Sequence, residues 1–443
     1  MTFKRLTRSV LLSTALLLAL AANAAAPSVD PRAVVGRIAD SIESTYFDAQ
    51  AATRIADGLR ADVAAGRFDA LRDPRELAAV LTDRLRPDDA HFSVAWSPPA
   101  PAATPSTAPT PAAPPPPPTT DDSAVARENH GMRRVEVLPG NVGLIELTLL
   151  AHFEPDEPLA GSAREVADAA LALVGRAQAL LIDLRDCRGG SPAMVGYLVG
   201  HFVAEDADVY NTFKSRGPDQ YERPTVPIAR RRLDLPLYVV VSGRTGSGAE
   251  SVAYTLQAAK RATIVGERTA GGANPGDVVD LGDGLSIFIS NGSPVNPITN
   301  DNWEGDGVLP DRVVAAKDAQ SVAYELALES MLGKIAAGPA ADEARWALEA
   351  SRAAREAAPI GDAERARYAG TYGTRVIRDE AGQLLYVVDR RPPKRLLALG
   401  GDLFMLEGAP FTRLEFERDA QGRSTTLVVR QVYGSVARFA RSG

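Results

Sequence analysis

Between residues 123 and 335 the chain alternates between two hydrophobic periods, and this alternation restricts its fold more than any single residue does. Apolar strand-like runs occur at 142–147, 179–184, 237–242, 262–265 and 285–290, and helical patterns fall at 163–177, 192–202 and 247–259. Runs that are apolar throughout suit strands covered on both faces. Helices between such strands predict βα units around a largely parallel sheet. In sheets of this kind a functional site is expected at the carboxyl ends of the strands.

The flanking segments read differently. Residues 30–97 predict a helical domain, because Val34, Val35, Ile38, Ile42 and Tyr46 recur at three- and four-residue spacing, as do apolar residues from 52 to 65. Asp30-Pro31 and Asp73-Pro74 supply N-cap and first-turn signals. Residues 98–122 are almost entirely Pro, Ala, Thr and Ser, with Pro114 to Pro118 in succession, which predicts an extended spacer unable to bury a core. A connecting helix is expected at 340–357. Residues 360–443 carry turn clusters at Asp379–Gly382, Gly400–Asp402 and Asp419–Gly422, the punctuation of an antiparallel β domain.

Residues 1–24 have the pattern of a signal peptide: Lys4, Arg5 and Arg8 precede an apolar run from Val10 to Leu20, and Ala22-Asn23-Ala24 is a small-x-small cleavage pattern. The run is shorter than the roughly 20 residues of a bilayer span. No cysteine stands directly after the cleavage point, so the expectation is a secreted or periplasmic protein with neither lipid anchor nor membrane insertion. A net charge of −7 gives no reason to expect nucleic acid as a partner. The lone cysteine, Cys187, cannot form an internal disulfide. The histidines at 91, 130, 152 and 201 show no zinc-site spacing, so neither metal nor cofactor is expected.

Chemistry concentrates at the ends of two strand-like runs. The run 237–242 leads through Gly243-Arg244-Thr245-Gly246-Ser247-Gly248-Ala249-Glu250 into a helix. Glycines on both sides of Ser247 permit a tight turn that leaves the hydroxyl uncovered, and a helix start offers free N–H groups beside it. By itself this pattern is also that of a serine capping a helix. The run 179–184 ends in Arg185-Asp186-Cys187-Arg188-Gly189-Gly190, so a second backbone amide can approach the same pocket. Beyond lie Gly266-Glu267-Arg268-Thr269-Ala270-Gly271-Gly272-Ala273-Asn274-Pro275 and Asn302-Trp303-Glu304-Gly305-Asp306-Gly307-Val308.

In this order these segments resemble the S41 (tail-specific, C-terminal processing) peptidases, in the branch shared with the tricorn core and interphotoreceptor retinoid-binding protein. The resemblance covers roughly 30–330 and implies a ClpP/crotonase-like α/β protease core with peptide or protein substrates. Processing proteases of this family pair their serine with a lysine where this chain has Gly271-Gly272, and no lysine occurs between Lys260 and Lys317. The tricorn-like scheme draws instead on a histidine from the preceding helical region and a glutamate after the serine. It therefore implies Ser247 as nucleophile, His91 as base and Glu304 as the carboxylate that orients it. Gly248 is the first oxyanion donor, with Gly189 or Gly190 as the second. Such a set is chemically coherent, since a serine hydroxyl near neutral pH needs a base to take its proton. The chain departs from the pattern at Ala90, where a serine precedes the histidine in the family, and at Cys187, where asparagine is usual. The function implied is a serine endopeptidase; an esterase, or a non-catalytic carrier of hydrophobic ligands or peptides, would use the same fold.

Overall fold

The computed structural model describes residues 28–98, 122–357 and 359–442; the leader at 1–24 and nearly all of the proline-rich stretch lie outside them. Three helices come first: α1 (Pro31–Thr45), α2 (Ala49–Ala64) and α3 (Pro74–Leu85). Each starts at an aspartate whose carboxylate accepts backbone N–H groups, Asp30, Asp48 and Asp73. Their apolar faces bury Ile38, Ile42, Leu59, Leu77 and Leu81 against one another. Strand β1 (Ser93–Trp96) follows, anchored where Thr82 Oγ1 accepts the Val94 amide at 2.9 Å.

Next along the chain are α4 (Asp122–Arg127), β2 (Met132–Leu138), β3 (Val142–Leu147), α5 (Ala163–Leu173), β4 (Ala179–Asp183) and α6 (Pro192–Gly200). They are followed by β5 (Thr212–Ser215), β6 (Gln220–Tyr221), β7 (Leu237–Val241), α7 (Gly248–Ala258), β8 (Thr263–Gly266), β9 (Gly276–Gly282), β10 (Leu285–Ser290), β11 (Gly292–Val295) and β12 (Arg312–Val313). A six-stranded sheet takes the order β12-β8-β7-β4-β3-β2, parallel except for the edge hairpin of β2 with β3. Strands β4 and β7 are buried at every position. Leu180, Ile182, Val239 and Val241 face the cluster containing residues of α5, α6 and α7. Leu181, Tyr238 and Val240 face the opposite cluster, which includes residues of α8 (Ala316–Leu332) and α9 (Pro339–Glu356).

The strand expected at 285–290 exists, but it does not join the parallel sheet. As β10 it lies between β1 and β9 in an antiparallel three-stranded sheet. Its alternation explains the placement: Leu285, Ile287 and Ile289 share one face and are buried in the same cluster as α1–α3. The helical unit is thereby fastened to the parallel-sheet core, and the segment between α3 and β1 is held over it. Residues 370–440 form an eight-stranded antiparallel sheet with its own core, including Tyr368, Phe404 and Phe416. Helix α9 meets this sheet through Ala350 and Ala353 against Leu397 and Met405. Among the described residues, no helix is long and apolar enough to cross a membrane.

Phe92 is 1% exposed, stacks on Tyr46 with 5.4 Å between ring centroids, and belongs to the cluster joining the helices to β10. Phe92→Ala is therefore expected to cost about 3–5 kcal/mol, the usual range for a buried aromatic. Chemical denaturation would show it as an earlier transition for the helical unit.

Candidate active site

The parallel strands β4 and β7 are neighbours, so their carboxyl ends deliver two loops side by side. Thr245 stitches them together: its Oγ1 donates to Leu184 O at 2.8 Å and accepts the Ser242 amide at 2.9 Å. Gly246 N donates to Cys187 O at 3.1 Å. At the junction with α7, Ser247 has φ 48° and ψ −125°, a conformation that side-chain-bearing residues rarely adopt, and it is solvent-exposed. The turn is strained and its hydroxyl uncovered, as a nucleophile requires.

One buried carboxylate holds this turn in place. Glu250 is fully buried and accepts four hydrogen bonds: Oε2 from Ser247 N (2.8 Å) and Gly272 N (2.9 Å), Oε1 from Gly271 N (2.7 Å) and Thr269 Oγ1 (2.5 Å). It ties the serine turn to the loop following β8, and its place at the first turn of α7 complements the helix dipole.

Gly189 and Gly190 lie against that turn. A β-carbon at position 189 would come within 2.6 Å of Ser247 Cβ, and one at position 190 within 2.2 Å of Leu150 O, both at positive φ. Only glycine fits such approaches. A β-carbon on Gly248 would in turn sit 3.3 Å from Gly190 N, so the Gly190 and Gly248 amides are neighbours. Among the described residues neither amide donates to another backbone carbonyl.

His91 arrives from the other side, between α3 and β1. Its Nδ1 lies 3.0 Å from Glu304 Oε1 and 3.2 Å from Asp89 Oδ1, which also accepts the His91 amide at 2.8 Å. Glu304 is itself oriented, its Oε2 accepting Ala273 N at 2.9 Å and Asn274 N at 3.0 Å. Trp303, 2% exposed, donates through Nε1 to Gly272 O at 3.2 Å and holds the 302–308 segment beside that loop. With Nδ1 turned to the carboxylates, Nε2 points inward. A β-carbon at Gly272 would be 3.2 Å from His91 Nε2 and 3.9 Å from Ser247 N. The fold thus brings His91 and Glu304 into contact and sets the imidazole across Gly272 from Ser247, but no hydrogen bond links Ser247 Oγ to His91.

Hydrogen bonds donated by the ring to Asp89 and then to Glu304 raise the His91 imidazole to about 10, against the opposing effect of burial. Burial pushes Asp89 upward, but hydrogen bonds from the His91 ring and amide outweigh it and leave the carboxyl lowered. Ligand atoms of Asp89, His91 and Glu304 lie within 4.8 Å of one another, a spacing that could hold a metal ion. Both carboxylates converge on Nδ1, however, so a cation there would first have to displace the ring proton they share. Cys187 is buried and pushed up to about 11 by that burial, which leaves it a protonated thiol.

Two residues escaped the sequence reading. Asp89 precedes His91 by two positions, the offset of a short side-chain-to-backbone turn. Glu250 follows Ser247 by three, the Ser-x-x-Glu spacing of a capping box.

Residues 141–314 match the family model of peptidase family S41. The chain is 31% identical over 131 residues to carboxyl-terminal-processing peptidase 1, chloroplastic, of Arabidopsis thaliana, a match spanning 30% of this chain and 26% of that one. It is 28% identical over 168 residues to the carboxyl-terminal-processing protease of Synechocystis, covering 36% of this chain and 38% of the relative. It therefore spans well under half the length of these curated relatives. Among solved structures, a photosystem II D1 C-terminal processing protease aligns at 24% identity with a TM-score of 0.32, covering 40% of this chain and 43% of that one.

Because its folded value lies above the ordinary 6.5, the imidazolium contributes stability that is complete below about pH 6.5 and is lost as pH rises through about 10. NMR titration of His91 is expected to give a midpoint far above 6.5. Asp89→Asn and Glu304→Gln should each move it down, because each removes a carboxylate that favours the charged ring.

Proposed function

Given that residues 141–314 belong to peptidase family S41, we propose that this chain is a secreted or periplasmic serine endopeptidase, acting through Ser247, His91 and Glu304 in the tricorn-like manner. The observation that carries the reading is the 3.0 Å contact of His91 Nδ1 with Glu304 Oε1, which turns Nε2 toward Gly272 and the serine turn.

In this mechanism Ser247 Oγ attacks the peptide carbonyl carbon while its proton passes to His91 Nε2. The oxyanion accepts hydrogen bonds from Gly248 N and from Gly189 or Gly190 N. The imidazolium, stabilised at Nδ1 by Glu304 and Asp89, gives its proton to the departing amine and leaves an acyl group on Ser247. Water then loses a proton to Nε2 as it attacks that acyl carbon, and the imidazolium returns that proton to Ser247 Oγ as the acyl–oxygen bond breaks and the acid departs. Gly271 and Gly272 occupy the place of the lysine used by processing proteases, and Cys187 is a buried, protonated thiol, so neither position supplies a base. The absence of a ground-state Ser247–His91 hydrogen bond fits an enzyme without substrate, in which catalytic contacts tighten on binding.

The test uses casein and a short-chain nitrophenyl ester with the wild type and with Ser247→Ala, His91→Ala and Glu304→Gln. Peptide cleavage should fall by at least about 10³-fold in the first two. Gly272→Lys should not restore turnover to His91→Ala, since Asp89 and Glu304 are placed to orient an imidazole and would favour the charged form of an ammonium brought beside them. Ester turnover without proteolysis would favour an esterase; tight binding of an apolar probe without turnover in any form would favour a carrier. Since only neutral His91 can act as base, the acid limb of kcat/KM should lie well above pH 6.5. Asp89→Asn should shift that limb to lower pH.

A further inference from the structure

The Gly189-Gly190 turn touches Ser247 on one side and Leu150 on the other. Beyond Gly190 opens a cavity of about 770 Å³, within the usual range of ligand pockets. Gly190 lines it, so the cavity adjoins the amide that faces Gly248. Val125, Leu149, Leu150 and Pro192 give it apolar walls.

Its lining carries two carboxyl side chains, Glu154 and Glu157, beside the imidazoles of His130 and His152. Ser191 Oγ accepts the Ala193 amide at 3.2 Å and lies 2.7 Å from His152 Nδ1, while His152 Nε2 lies 2.9 Å from Glu154 Oε1. The His152 imidazole thus spans Ser191 and Glu154. Glu154 places its carboxyl group at the cavity wall. Glu157 lines the same space, and its Oε1 is buried with no hydrogen-bond partner. No lysine or arginine is among the lining residues. A buried carboxylate oxygen without a donor is costly unless something supplies one.

We propose that this cavity is a specificity subsite for a basic side chain, lysine or arginine, on the substrate residue next to the scissile bond. Glu154 and Glu157 receive the cationic head, and Val125, Leu149 and Leu150 pack its aliphatic stem. Long cationic side chains divide in this way between apolar and charged surroundings. This rests on the peptidase reading, because it is Ser247 and the Gly190 amide that make the neighbouring cavity a substrate subsite.

The experiment compares kcat/KM for fluorogenic peptides carrying arginine, lysine, norleucine or glutamate beside the cleaved bond. Wild type should favour arginine and lysine over norleucine by roughly 10- to 100-fold, as expected of charge-assisted hydrogen bonds, and should discriminate further against glutamate. Glu154→Gln/Glu157→Gln should collapse the arginine-to-norleucine ratio toward one, while the conservative Glu157→Asp retains part of it. Because the readout is a ratio within each variant, a general loss of folded enzyme does not mimic the result. An unchanged ratio in the double variant, or a wild-type preference for norleucine or glutamate, would overturn the proposal. Should no peptide be cleaved, which counts against Ser247 catalysis rather than against the cavity, calorimetry with the same uncleaved peptides decides. Tighter binding of the arginine peptide, lost in the double variant, supports the subsite; equal binding of all four peptides refutes it.

Discussion

The site depends on a carboxylate shared between two parts of the chain that meet only through tertiary structure. Glu304 takes the amides of Ala273 and Asn274 with one oxygen and His91 Nδ1 with the other, so the loop that sits over the serine also aims the imidazole. An imidazole on a short segment after a helix has no intrinsic reason to face a strand end. The antiparallel pairing of β1 with β10 supplies that reason, because it fixes the chain from Ser93 onward, two residues after His91, while α3 ends at Leu85 on the other side. The buried face of β10 and the helical cluster are therefore as much a part of the site as its polar groups.

Glu250 plays the complementary role below the serine. Its four accepted hydrogen bonds link the start of α7 to residues 269–272, which lets a strained backbone at Ser247 persist without local relaxation. The opposite face of α7 is also fixed by polar contacts. Ser251 Oγ donates to the fully buried Glu222 at 2.6 Å, and Asn211 Nδ2 reaches the same carboxylate oxygen at 2.9 Å. Burial raises Glu222 to about 7. The helix that follows Ser247 is thus positioned by hydrogen bonds at its start and along its length, and the two glycines beside it supply close approach rather than rigidity.

How much of this could be read from the sequence depended on whether the signal was local. The strands at 142–147, 179–184 and 237–242 were legible because continuous apolar runs bounded by turn residues have few other readings. The strand at 285–290 was legible as a strand but not as a member of its sheet, since alternation specifies a buried face and not the partner that covers it. Ser247, His91 and Glu304 could be named through the order of several motifs; their mutual distances depend on pairings far apart in the chain. Asp89 and Glu250 had local spacing signals that were passed over in favour of the residues beside them. Glu222 had none, because a lone glutamate in a loop looks solvated until the fold encloses it.

The central claim is that an imidazole from before the proline-rich stretch activates the hydroxyl after β7. The most direct measurement is the rate of phosphonylation by a fluorophosphonate, with the adduct located by mass spectrometry, because it reads nucleophile activation without requiring the natural substrate. The account predicts a single adduct on Ser247, formed orders of magnitude more slowly in His91→Ala. An adduct on another residue, or equal rates with and without the imidazole, would contradict it.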